Sequence, residues 1–223
     1  MSSQHYNFVA NAFADLAEHL EQERYELILN ETQTHQVIED VRSRYADVGI
    51  LYLSNANRSV MAKAFSDARV AFHPLFTAKP HVFLQRSHPL AGRDSVTLDD
   101  LAPYPRINFV QGAYESANFA EELFSFEPCD KSIKVSDRAA VVNFMVGLNA
   151  YTISSGIFPR RLHGDAIVSV PLAADEVMGI GYLLPLNAQL GNLGRLFIDS
   201  LEHFADSAPD AAPDASADRL PHK

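Results

Sequence analysis

Residues 5–22 place Val9, Phe13, Leu16 and Leu20 on one stripe at spacings of three and four, with Asn7, Asp15, Glu18 and Glu21 off it. That period predicts an amphipathic helix. Tyr25–Glu31 alternates and reads as extended, Thr34–Tyr45 returns to helical spacing, and Val48–Leu53 is a compact apolar run. Helix, strand, helix, strand in this order calls for crossover connections, and hence a parallel sheet covered on both faces.

A helical stretch over Arg58–Arg69 leads into two extended passages, Val70–Phe76 and His81–Gln85, with Pro80 between them. The pattern then restarts. Thr97 is placed to cap a short helix, Ile107–Val110 reads as a strand, Ser116–Phe126 as a helix and Ser132–Val135 as a strand. Asp137 caps a helix carrying Val141, Phe144, Met145 and Leu148, which stops at Gly147–Asn149 before the strand Ala150–Ser154. Ala166–Pro171 and Met178–Leu184 are extended, and Leu193–Phe204 predicts a final amphipathic helix. The fold class is therefore α/β with two similar units. From Asp206 the chain is rich in Pro, Ala and Asp, with too few bulky apolar residues to offset ordering entropy, so residues 206–223 are expected to be a disordered tail.

Charge and composition narrow the function. Eighteen Lys and Arg stand against 28 Asp and Glu, with no basic cluster, which disfavours direct contact with a nucleic-acid backbone. A single cysteine, Cys129, excludes an intramolecular disulfide and a Cys-cluster zinc site, and it suits a reducing compartment. The first residues lack the basic and unbroken apolar regions of a secretion signal, and no apolar run has the length that spans a bilayer. A cytoplasmic protein with no membrane partner is expected.

Phosphate-loop, dinucleotide, zinc-protease and hydrolase motifs are absent, and no catalytic residue is assigned. His73, His81 and His88 flank the Pro80 crossover without acidic or Cys partners at ligand spacing, so they read as surface or hinge histidines and no metal is expected. Cys129, between Pro128 and Asp130, reads as a plain thiol. The informative residues are polar ones at predicted helix starts: Ser2, Ser3 and Gln4 before the first helix, Thr32 and Thr34 before the second, and Gln111–Ser116 before the third. Each alone suits a helix cap. In a doubly wound sheet these turns share the edge where ligands settle, and their convergence favours a small-molecule cleft.

His88-Pro89-Leu90-Ala91, then Val96-Thr97-Leu98-Asp99-Asp100-Leu101, then Pro105-Arg106-Ile107 resemble the effector-binding domain of LysR-type transcriptional regulators. Ala46–Ile50, Val135–Arg138 and Gly147–Ile153 agree in order and spacing, so the resemblance covers about residues 1–204. It implies a fold like type II periplasmic binding proteins, with two Rossmann-like lobes joined by two crossover strands. Lobe I would be residues 1–82 plus 171–205, and lobe II residues 83–170. By the same resemblance Ser3, Gln4 and Thr34 would meet the effector from lobe I, Gln111, Tyr114 and Ser116 from lobe II, and Ser154 near the hinge. Neutral donors there suit a small polar or anionic effector, with Phe109 or Tyr114 covering an apolar portion; no cofactor is implied.

The resemblance also implies a homodimer, a tetramer being open to the full-length regulator, and DNA contact only through a winged helix-turn-helix that these residues do not include. A solute-binding protein delivering a ligand to a partner is the alternative; the absence of a secretion signal speaks against it. An enzyme of the same fold, such as a porphobilinogen deaminase, would need acid, base or nucleophile residues at the cleft turns, where hydroxyls and amides stand instead.

Overall fold

In the computed structural model of the protein, the described residues are 1–20, 24–159, 164–206 and 212–213. The first α/β unit runs β1 (Ser2–Ser3), α1 (Asn7–His19), β2 (Asn30–Glu31), α2 (Thr34–Arg42), β3 (Gly49–Leu53), α3 (Arg58–Ala68) and β4 (Val70–Ala78). After Pro80 come β5 (His81–Gln85), α4 (Leu98–Leu101), β6 (Arg106–Phe109), β7 (Ser132–Val135), α5 (Arg138–Leu148), β8 (Thr152–Ser154) and β9 (Ile167–Pro171). The chain closes with β10 (Met178–Pro185), α6 (Asn192–Asp206) and the edge pair β11 (Ala212–Pro213).

Sheet membership shows why there are two lobes. The first sheet has the order β11-β4-β10-β3-β1-β2, with β1 parallel to β2 and β3, and β10 antiparallel between β3 and β4. In the second lobe β5 lies antiparallel between β8 and β9, while β6 pairs in parallel with β7 and meets Tyr151, just before β8, through a parallel bridge. Both lobes therefore repeat one order: second strand, first, third, an antiparallel visitor, then fourth. The visitors β5 and β10 follow the two passages between the lobes. Topological switch points fall at the carboxyl ends of β1 and β3 in one lobe and of β6 and β8 in the other.

Side chains on β3 alternate as a pleated strand requires. Ile50 and Tyr52 join the core that α1 and α6 cover through Phe8, Leu16, Phe197 and Leu201, while Leu51 and Leu53 join the opposite core under α2 and α3, with Val37, Val41, Met61 and Phe65. The apolar stripe of α1 thus covers its own sheet. In lobe II, Val82 and Leu84 face one way and Phe83 the other, against Ile107, Val135, Val141 and Met145. Gly181 sits at a bulge between β10 and β4; a Cβ there would stand 2.4 Å from the His73 carbonyl oxygen, so only glycine fits without moving backbone.

Several sequence expectations need correction. The helix predicted over 5–22 runs over Asn7–His19, with residues 21–23 outside the described residues, and the second ends at Arg42. Only Asn30–Glu31 of the predicted strand Tyr25–Glu31 is paired, because β1 spans two residues and offers no longer partner. Ser116–Phe126 is not a helix: a 3-10 turn at Gly112–Tyr114 is followed by irregular turns, with Phe124 at φ +62°. Its backbone is claimed from elsewhere. Arg106, buried in β6, donates from Nη1 to the Phe124 carbonyl at 2.8 Å and from Nη2 to the Ser125 and Glu127 carbonyls at 3.3 and 2.5 Å. In the stretch expected to be disordered, Ala212–Pro213 pair with Thr77 and Phe76 at the sheet edge. Residues 207–211 and 214–223 lie outside the described residues.

Candidate functional site

The turn after β1 and the ends of β6 and β8 meet between the lobes. There a cavity of 40 Å³ is bounded by His5, Tyr6 and Asn7 from lobe I and by Glu121, Glu122 and Arg138 from lobe II. Its apolar wall is Phe83, Phe109, Val141, Met145 and Phe158, and Thr152 and Ser154 lie along β8. Such a space holds a few waters at most, so the lobes are closed on one another.

A chain of hydrogen bonds makes that closure. Gln4 Nε2 donates to Thr34 Oγ1 at 2.5 Å, and Gln4 Oε1 accepts from the Tyr52 N–H and the Tyr6 hydroxyl, which fixes the amide's orientation. The N–H of Thr34, free because it opens α2, donates to Gln111 Oε1 of the other lobe at 3.0 Å. Gln111 Nε2 donates in turn to Glu121 Oε1 at 2.8 Å. Glu121 Oε2 accepts the His5 N–H at 2.9 Å and lies 2.8 Å from His5 Nδ1. The His5 ring stacks on Phe109 with centroids 4.0 Å apart.

Two further bridges cross between the lobes. Arg138, the first residue of α5, donates through Nε to Glu31 Oε2 at 2.9 Å and through Nη1 to Asn7 Oδ1 at 3.0 Å. Burial pushes the Glu31 carboxyl above its ordinary range, and Arg138 partly offsets the shift. Tyr114 stacks flat on His35, with centroids 3.5 Å apart.

Glu122 is the anomaly. It is 5% exposed; Oε1 accepts the Phe109 N–H at 2.9 Å, while Oε2 has no hydrogen-bond partner. Burial first, and the neighbouring Glu121 second, hold its carboxyl well above the ordinary carboxylate range. Burial likewise raises the Tyr6 and Tyr52 hydroxyls; Tyr52, Glu121 and Glu122 add to the effect at Tyr6, and Glu122, Glu121 and Glu176 at Tyr52.

The structure brings Gln4, Thr34 and Gln111 into one network and puts Ser154 on the cavity wall. Ser3 is buried beside them, but its hydroxyl donates to the Gln4 carbonyl at 2.6 Å. Tyr114 reaches lobe I outside the cavity lining, and Ser116 serves through its carbonyl, which accepts the Phe119 and Ala120 N–H groups. His5, Glu121, Glu122 and Arg138 were not anticipated. One signal was available: two adjacent carboxylates inside Phe119-Ala120-Glu121-Glu122-Leu123-Phe124 are out of place in so apolar a run. Among the described residues no group of three or more His, Cys, Asp or Glu is arranged to hold a metal ion, and no helix is long and apolar enough to cross a membrane.

Two α/β lobes with matching strand orders, joined by two passages and closed over a cavity at their switch points, define a two-lobed ligand-sensing domain. A family model described as the LysR substrate binding domain matches residues 3–205, and the chain belongs to that family. Similar solved structures include the effector binding domain of QuiR in complex with shikimate, at 18% identity and TM-score 0.58, with 92% of this chain and 96% of that one covered. The regulatory domain of MetR from N. meningitidis aligns at 12% identity and TM-score 0.60, covering 95% of each chain. The reduced OxyR regulatory domain from Pseudomonas aeruginosa aligns at 16% and 0.60, covering 91% of this chain and 95% of that one. No curated protein sequence matches the chain.

Proposed function

We propose that the cavity between the lobes is the effector site, and that the effector changes how lobe II sits on lobe I. The observation that carries this is the hydrogen-bond chain from Thr34 through Gln111 and Glu121 to His5. It closes the lobes with exchangeable polar contacts in place of a dry apolar seam. A ligand with differential affinity for the open and closed arrangements shifts their populations, and a coupled DNA-binding module reads the shift. Shikimate in the QuiR structure is a precedent for a small-molecule effector on this fold. Lobe I is taken as residues 1–82 plus 171–205 and lobe II as 83–170; the chain changes sheet at Lys79–Pro80 and between Leu172 and Met178, close to these limits, with His81, Val82 and Pro171 pairing in the second lobe's sheet. The role is binding, not catalysis, and it is exercised in the cytoplasm as a homodimer that reaches DNA through a separate winged domain.

Screening the 223-residue chain by thermal shift against small carboxylates, amines and neutral polyols is expected to yield stabilising compounds, with ΔTm rising with concentration by mass action. A screen in which nothing stabilises the chain would contradict an effector site. Light scattering is expected to give a mass near twice 24.7 kDa, and a constant monomer mass would remove the dimer.

A further inference from the structure

The positions expected to hold an anion are already filled from within. The Thr34 N–H, at the start of α2, is bound to Gln111 Oε1, and the His5 N–H, ahead of α1, is bound to the Glu121 carboxylate. The cation nearest the cavity, Arg138, is engaged by Glu31 and Asn7. What is left unmet is a carboxyl oxygen: Glu122, 5% exposed, is among the residues around the cavity, and its buried Oε2 has no hydrogen-bond partner. Around it stand Phe83, Phe109, Val141, Met145 and Phe158.

A buried carboxyl oxygen without a partner costs free energy that a ligand donor recovers, and hydrocarbon walls reward an apolar body. A second anion would join Glu121 and Glu122 in a low-dielectric space whose bound cations are already used. We propose that the effector is a primary amine on a small apolar or aromatic body, its ammonium group seated on Glu122 Oε2 and its body against the phenylalanine wall. This rests on the cavity being the effector site and replaces the anionic class that the sequence suggested.

The ionisable groups facing Glu122 are Glu121 and Glu115 from its own segment and Tyr6 and Tyr52 from lobe I, with His5 and Arg138 also around the cavity. Burial and Glu121 raise the Glu122 carboxyl, and an ammonium group seated on it lowers it again, so any proton it carries passes to solvent and the carboxylate balances the ammonium charge in the complex. Because the cavity holds only 40 Å³, docking also requires the lobes to part, which couples recognition to the signal.

Calorimetry with benzylamine, benzyl alcohol and benzoate separates charge from shape, because the three share one ring. Benzylamine is expected to bind the wild-type chain at least about tenfold more tightly than the other two, the range of a charged hydrogen bond. Its measured heat should vary with buffer ionisation enthalpy, reporting proton release. Glu122→Gln, which keeps the shape, should abolish both the preference and the proton release. A preference for benzoate, equal binding of all three, or no binding of benzylamine would overturn the amine assignment. Should benzoate win while perturbing the His5, Phe109 and Ser154 amides, the cavity would remain the effector site and only the ligand class would be wrong. If the probes bind and none perturbs those amides, the site assignment fails as well.

Discussion

Replacing Arg106 with alanine lowers the stability of the domain by about 3–5 kcal/mol and loosens residues 112–127. Arg106 is 4% exposed, and its guanidinium gathers the carbonyls of Phe124, Ser125 and Glu127 onto β6. Those carbonyls have no helix to satisfy them, and each loses a charged donor when the side chain is cut back. Arg106→Lys recovers only part of the loss, because an ammonium is a point donor and cannot fork across three acceptors. Denaturant unfolding gives the energy, and amide exchange over 119–127 shows where the structure loosens. A loss below about 1 kcal/mol would mean that the segment is held by its own packing.

Glu122→Gln is expected to make the ligand-free chain more stable at neutral and alkaline pH and to leave it nearly unchanged near pH 5. Burial, then Glu121, raises the Glu122 carboxyl in the folded state above its unfolded value, with Glu115 adding to the shift and the Phe109 N–H opposing it. A raised group favours the fold fully below the unfolded pKa, and that advantage is lost as pH climbs toward the folded one, because the unfolded chain ionises first. The slope is about 1.4 kcal/mol per pH unit while the folded carboxyl keeps its proton. Glutamine does not titrate, so the variant escapes that slope, and its advantage over wild type grows as pH rises above the unfolded carboxyl's range. Lowered carboxyls such as Asp100, held by the Thr97 N–H and hydroxyl, shift with pH in both proteins and cancel in the comparison. Parallel stability–pH curves for the two proteins would show that Glu122 is solvated or paired.

Local signals were enough for most elements. Thr97 makes a capping box with Asp100, and Asp137 accepts the Ala140 N–H at 2.8 Å, both as the sequence suggests. The alternation of Ile50–Leu53 and the stripe from Val9 to Leu16 likewise depend on neighbours a few residues away, so their periods show in the chain. The segment after Gln111 does not follow this rule. Its conformation is set by donors at His5, Arg106 and Phe109, up to 116 residues distant, and no local pattern announces them. Read as a helix, the segment gave Glu121 and Glu122 no part in the site; in the fold both are among the residues around the cavity. The same misreading hid the acidic character of the site, since Gln4, Thr34 and Gln111 are visible as neutral donors while the carboxylates that complete the network come from the misread stretch.

A small molecule is proposed to bind between the lobes and to touch both of them. Mapping amide shifts on an isotope-labelled chain, titrated with the strongest stabiliser from the thermal screen, tests it most directly. Large shifts are expected at His5 and Thr34 in lobe I together with Phe109, Gln111 and Ser154 in lobe II, as the Thr34–Gln111 and His5–Glu121 contacts are exchanged. Shifts confined to one lobe, such as the surface around Tyr45 and Leu190, would contradict it.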